Sequence, residues 1–180
     1  MIVFSLPSDH PLSYIQIVGY IGMALGIFVF LQRDDRRLKL SMVVMTAVMV
    51  IHFVLLGRYV AAISAASAGS RAGLSLIPFV MRHRHYFAAF FVVLTCVLGV
   101  VTYSEWFDSL PFMAALLGTY SFFYLKGLWL RCSLLVGGTF WLLHNIMALS
   151  YGPAVMEVFI LSANAYTIFI LLHERKKTAV

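Results

Sequence analysis

Charge is what this sequence has least of. Only 11% of its 180 residues are Asp, Glu, Lys or Arg, and just seven are acidic. Soluble domains carry about 25% charged residues to cover their surface, so a soluble globular domain is excluded. Cysteine is also scarce. Cys96 and Cys132 fall within or at the edge of apolar runs and offer neither a disulfide framework nor metal-ligand spacing. No hydrolase elbow, phosphate loop, HExxH motif or pair of catalytic carboxylates is present, so no enzyme, cofactor or metal centre is expected. The opening MIVFSLPSDHPLSY lacks a basic n-region and a small-residue cleavage site, which argues against a signal peptide.

What the sequence has is apolar length. Hydrophobic residues make up 62% of the chain, and the mean hydropathy is +0.95. A bilayer core is spanned by about 20 apolar residues, so the chain holds at most about seven short, closely connected spans and no second domain. Apolar runs set against charge and turn markers place these at 13–31, 38–56, 60–81, 86–103, 111–125, 128–149 and 152–172, with a basic tail at 173–180. The predicted fold class is all-α integral membrane, a single transmembrane domain over 1–180. The net charge of +6 does not point to nucleic acid, because the basic residues lie in the connections between apolar runs. There they serve topology and contact anionic headgroups. With seven spans, all 13 Lys and Arg except Arg58 and Arg71 fall on the side of the C-terminus, while Asp9, Glu105 and Asp108 lie opposite. The positive-inside rule then puts the C-terminus in the cytoplasm and the N-terminus outside.

The chain also resembles itself. Shifted by 92 residues, 38–59 falls on 130–151, matching Ser41 with Ser133, His52 with His144 and Tyr59 with Tyr151, with Lys39 against Arg131. Gly22 and Gly26 fall on Ala114 and Gly118. Two three-helix repeats, about 13–81 and 111–172, keep one orientation only if an odd number of spans joins them, and 86–103 is that linker helix. Parallel repeats of this kind occur in transporters, with a site near the midplane between them.

The polar residues inside the spans are the candidate central cavity. Arg71 sits near the middle of the third span, where a charge costs about 2.5–3.5 kcal/mol and so faces protein or water. Either it contacts a substrate or it pairs with Glu157 in the last span, across a depth difference of about 9 Å that two long side chains nearly close. His52 and His144 occupy equivalent places, as expected of a proton-linked gate, a ligand clamp, or simple interhelical hydrogen bonds. Asn164 shares the depth of Arg71, Asn145 adjoins His144, and Trp141 lies one turn away, where it could stack on a ligand ring or pack in the core. The small residues Gly19, Gly22, Gly26 and 61–70 read as helix packing.

The run QRDDRRLKLS after the first span, the His52 region ending LLGRY, the HN at 144–145, and Glu157 and Asn164 together resemble the YgjV family of bacterial inner-membrane proteins. The resemblance covers nearly the whole chain. It implies a bacterial inner-membrane location and a distant similarity to the SWEET, PQ-loop and PnuC carriers, which are built three-plus-one-plus-three. Two features depart from these patterns. Ala68 stands where the family usually has an Asn one turn before the Arg of the third helix, and the Pro-Gln dipeptide of the PQ-loop proteins is absent. No sugar or amino-acid substrate is therefore carried over. The expectation is a small-solute transporter working by alternating access. Its partners are the bilayer, anionic headgroups on the cytoplasmic side and a small polar solute, with a homo-oligomer left open. The alternative is a ligand-binding receptor or scaffold on the same fold.

Overall fold

The computed structural model describes residues 14–103, 105–147 and 151–178, and these are all-helical. The helices are α1 (Tyr14–Leu31), α2 (Asp35–Leu55), α3 (Tyr59–Leu74), α4 (Pro78–Arg82), α5 (Arg84–Thr102), α6 (Ser109–Tyr124), α7 (Gly127–Met147) and α8 (Tyr151–Thr178). Their ends follow local chemistry. Asp34 caps α2 by accepting from the Arg37 backbone N–H at 2.8 Å. Gly57, at φ +69°, turns the chain after α2, a conformation that costs other residues. Glu105 and Asp108 form a reciprocal capping box on the short 3-10 turn Trp106–Asp108 that leads into α6.

The third apolar run is not one helix, as its hydropathy suggested. It breaks after Leu74 and resumes at Pro78. A residue before proline is driven out of the helical region, and Ile77 accordingly sits at φ −88°, ψ 120°. At the other end, the last helix continues through the basic tail to Thr178. Asp9, expected on the outer side, lies outside the described residues.

Sequential helices pack as antiparallel neighbours: α1 on α2, α2 on α3, α6 on α7 and α7 on α8. Two further contacts, α1 with α8 and α3 with α6, close these six helices into a ring. Helix α5 lies outside it, against α6 and α3. The main core, at the end of the ring that carries the basic residues, joins Val29, Phe30, Leu38, Met42, Ala72, Phe122, Leu130, Ile160 and Ala163. A second cluster of Val80, Ala88, Phe91 and Phe123 fixes α4 and α5 to α6.

Four helical segments are long and apolar enough to cross a membrane: Tyr14–Leu31, Asp35–Leu55, Arg84–Val101 and Pro153–Arg175. Large apolar side chains face outward, with Val100 81% and Val101 75% exposed. Such a surface is stable in lipid and not in water. The protein is an all-α, multi-pass membrane protein.

Candidate functional site

Helix α3 is short and rich in small residues, and that composition sets the position of Arg71. A Cβ on Gly69 would collide with the Thr46 hydroxyl of α2, and one on Gly73 would crowd Val43, so α2 and α3 lie close. Arg71 is 5% exposed and turns toward α6. Its Nη1 donates to the Ala115 carbonyl at 2.9 Å and to Thr119 Oγ1 at 3.0 Å. The guanidinium carbon lies 5.9 Å from the ring centroid of Phe91 on α5. Nε finds no partner.

Arg71 therefore does not pair with Glu157 or Asn164, as depth alone suggested. Depth along a helix can be counted from sequence, but direction around the bundle cannot. Helix α3 packs on α2, α5 and α6, whereas α8 packs on α7 and α1. Glu157 is half-buried on α8, close to Gly138 of α7: a Cβ there would come within 2.9 Å of Glu157 Oε1. Asn164 is 1% exposed; its Nδ2 donates to the Arg131 carbonyl at 3.0 Å and its Oδ1 is without a partner.

The two candidate histidines are held alike. His52 Nδ1 meets the Ile15 carbonyl at 2.9 Å, and His144 Nδ1 meets the Phe107 carbonyl at 3.1 Å. Each pair is separated by 37 residues, and the second pair lies 92 positions after the first. A carbonyl only accepts, so Nδ1 is the donor in both contacts. The rings do not meet each other. Each is bound beside its own helix hairpin, with Trp141 edge-on to His144 at 6.0 Å. Asn145 is half-buried next to it.

Gly19 makes room for His52. A Cβ there would come within 2.7 Å of the ring. Gly19→Ala should displace the imidazole from Ile15 and cost about 1–3 kcal/mol, as overpacking does. Thermal unfolding in detergent measures this, and an unchanged Tm would show that the ring has room to move.

Sequence reasoning missed the most highly connected side chain, having read it as a topology charge. Arg131 on α7 is fully buried. Its Nη1 binds Asp35 Oδ1 and the Gly127 carbonyl, and its Nη2 binds the carbonyls of Gln32 at 3.0 Å and Arg33 at 2.6 Å. Asp35 also accepts from the Gly127 backbone N–H at 2.6 Å. Lys39, the residue the 92-residue shift sets against Arg131, is buried as well and donates to the Phe122 carbonyl at 3.1 Å. Thr167 of α8 donates to the Phe30 carbonyl at 2.7 Å. Apart from the Arg131–Gly127 carbonyl contact within α7, these tie the first three helices to the last three. The signal available was Lys39 against Arg131, a cation repeated at the basic end of both halves. Among the described residues no cluster of His, Cys, Asp and Glu suits a metal ion.

The family model Imp-YgjV, described as bacterial inner membrane protein, matches residues 13–175. Over 163 residues the chain is 33% identical to the inner membrane protein YgjV of Escherichia coli (strain K12), covering 90% of this chain and 86% of that protein. No solved structure matches the chain.

Proposed function

We propose, for a chain that belongs to the Imp-YgjV family of bacterial inner membrane proteins, that the ring is two parallel three-helix repeats, α1–α3 and α6–α8, joined through the linker α5, and that it carries a small polar solute across the membrane by alternating access. The observation that carries the reading is the recurrence of one offset in the contacts. The His52–Ile15 and His144–Phe107 bonds are related by 92 residues, and Asp35 and Gly127, themselves 92 apart, bind one another. Under a twofold operation that exchanges the repeats, a contact between equivalent positions must lie on the axis. The same operation turns the α1–α8 contact into the α6–α3 contact, and both exist. Two like units meeting along an axis parallel to the helices can rock against each other, the usual basis of alternating access in repeat-built carriers.

In this reading Arg71, Asn164, Glu157, His52, His144, Asn145 and Trp141 supply the polar groups of the path. Three buried side-chain atoms lack partners among the described residues, Arg71 Nε, Arg131 Nε and Asn164 Oδ1. Such atoms are expensive in a membrane, and Arg71, which has no carboxylate partner as Arg131 has, supports a role beyond packing. The test is solute flux into liposomes containing the purified protein, preceded by a thermal-shift screen of small polar compounds. Stabilising compounds that never cross with the protein present would instead favour a receptor.

The proposed orientation is a cytoplasmic C-terminus with the basic residues of the α1–α2, α3–α5 and α6–α7 connections on the same side. A cysteine placed at Asp108 should react with an impermeant reagent in intact cells, and one at Lys177 should react only after lysis. Labelling of both from outside defeats the arrangement.

A further inference from the structure

Six of the seven acidic residues are described, and five of them have evident tasks. Asp34 caps α2, Asp35 binds Arg131, Glu105 and Asp108 form a capping box, and Glu174 pairs with Arg33 at 2.8 Å. Glu157 lies against Gly138 of α7, and the ion pairs among the described residues do not include Arg71. Arg71 is thus a buried cation without a counter-ion. Its contacts are a carbonyl, a hydroxyl and a ring, which offset part of a charge but do not neutralise it.

The geometry also says which edge is free. Both hydrogen bonds leave from Nη1, and Nε is buried and unpartnered. A guanidinium binds a carboxylate through two parallel N–H groups, and the edge bearing Nε is one of the two faces that can do so. The site is confined to one half of the ring. Shifted by 92 residues, Arg71 falls on Ala163, a member of the main apolar core, and Thr119 on Ile27, which packs against that core. Thr119 and Phe91, on neighbouring helices, hold the guanidinium in one orientation, which pre-organises the free edge.

We propose that Arg71, oriented by Thr119 and Phe91, is the binding site for a small monocarboxylate anion. The assignment rests on the carrier reading above and names its substrate class. A single guanidinium neutralises a single negative charge. A phosphate, carrying more, would leave residual charge in a low-dielectric setting.

The full-length protein, labelled with 15N-arginine in non-ionic detergent, gives a direct readout, with the Arg71 Nε resonance identified by its loss in Arg71→Lys. Pyruvate should shift that resonance saturably, while chloride at the same ionic strength should not. Arg71→Lys keeps the charge but loses the fork, and should weaken pyruvate binding about tenfold or more. If that variant does not fold, Thr119→Val, which loosens the guanidinium without removing it, should weaken binding in the same direction. A silent Arg71 resonance, a response to phosphate alone, or a response equal to that of chloride overturns the proposal. Pyruvate uptake into liposomes separates the two readings. Binding at Arg71 without flux overturns the carrier and leaves the anion site standing. Flux of a neutral or cationic solute with Arg71 silent overturns the anion site and leaves the carrier.

Discussion

Asp35→Ala is expected to destabilise the protein by about 3 kcal/mol, the low end of the cost of orphaning a buried charge. Asp35 supplies the only carboxylate bound to Arg131 among the described residues, and Arg131 has no exposed surface through which water could compensate. The substitution also strips the acceptor from the Gly127 N–H. The low end is appropriate because the Asp35 side chain is itself 27% exposed and three carbonyls still hold the guanidinium. Arg131→Leu should cost less, about 1–2 kcal/mol. It leaves Asp35 partly hydrated and still bonded to Gly127, and it leaves the freed carbonyls near a helix end where solvent is close. The double variant should recover much of the Asp35→Ala loss, since no buried charge is left alone. Equilibrium unfolding in mixed micelles would measure all three. Equal costs for the two single changes would mean that the carbonyls alone satisfy Arg131.

The helices and their order could be read from sequence because apolar run length is a one-dimensional signal. Arg71 was recognisable for the same reason, as a charge far from both ends of an apolar run. Its partners were not. Thr119 is one hydroxyl among many in apolar runs, and only the direction in which α3 faces brings it to Arg71. The break before Pro78 was legible from the proline itself but was outweighed by the apolar residues on both sides. Arg131 was obscured by its location. At a helix end beside Lys126 it looks like any other topology charge, and its burial depends on Asp35, which is distant in sequence. Long-range polar contacts of this kind have no local signature.

Arg71→Met, in contrast to the Asp35 and Arg131 changes, is expected to leave stability unchanged or raise it by about 1–2 kcal/mol while removing function. Arg71 lies in the last turn of α3, midway along the third apolar run, and a charge at the depth which that run implies costs about 2.5–3.5 kcal/mol. The substitution gives up two hydrogen bonds worth about 0.6 kcal/mol each in a membrane setting, together with a weak ring contact. Crucially, it strands no partner. The Thr119 hydroxyl already donates to the Ala115 carbonyl at 2.9 Å, so both groups remain satisfied once the guanidinium is gone. Methionine fills similar volume and adapts to an irregular gap between α3, α5 and α6. The cost of keeping Arg71 is thus not recovered in stability, the pattern found where a residue is retained for activity. Flux through the proposed carrier should fall by about tenfold to a hundredfold, the loss of one charge-assisted contact. Thermal unfolding and liposome flux on the same preparation would read both effects. A variant that unfolds readily would show Arg71 to be a structural tie between α3 and α6, and one that is stable and fully active would remove it from the path.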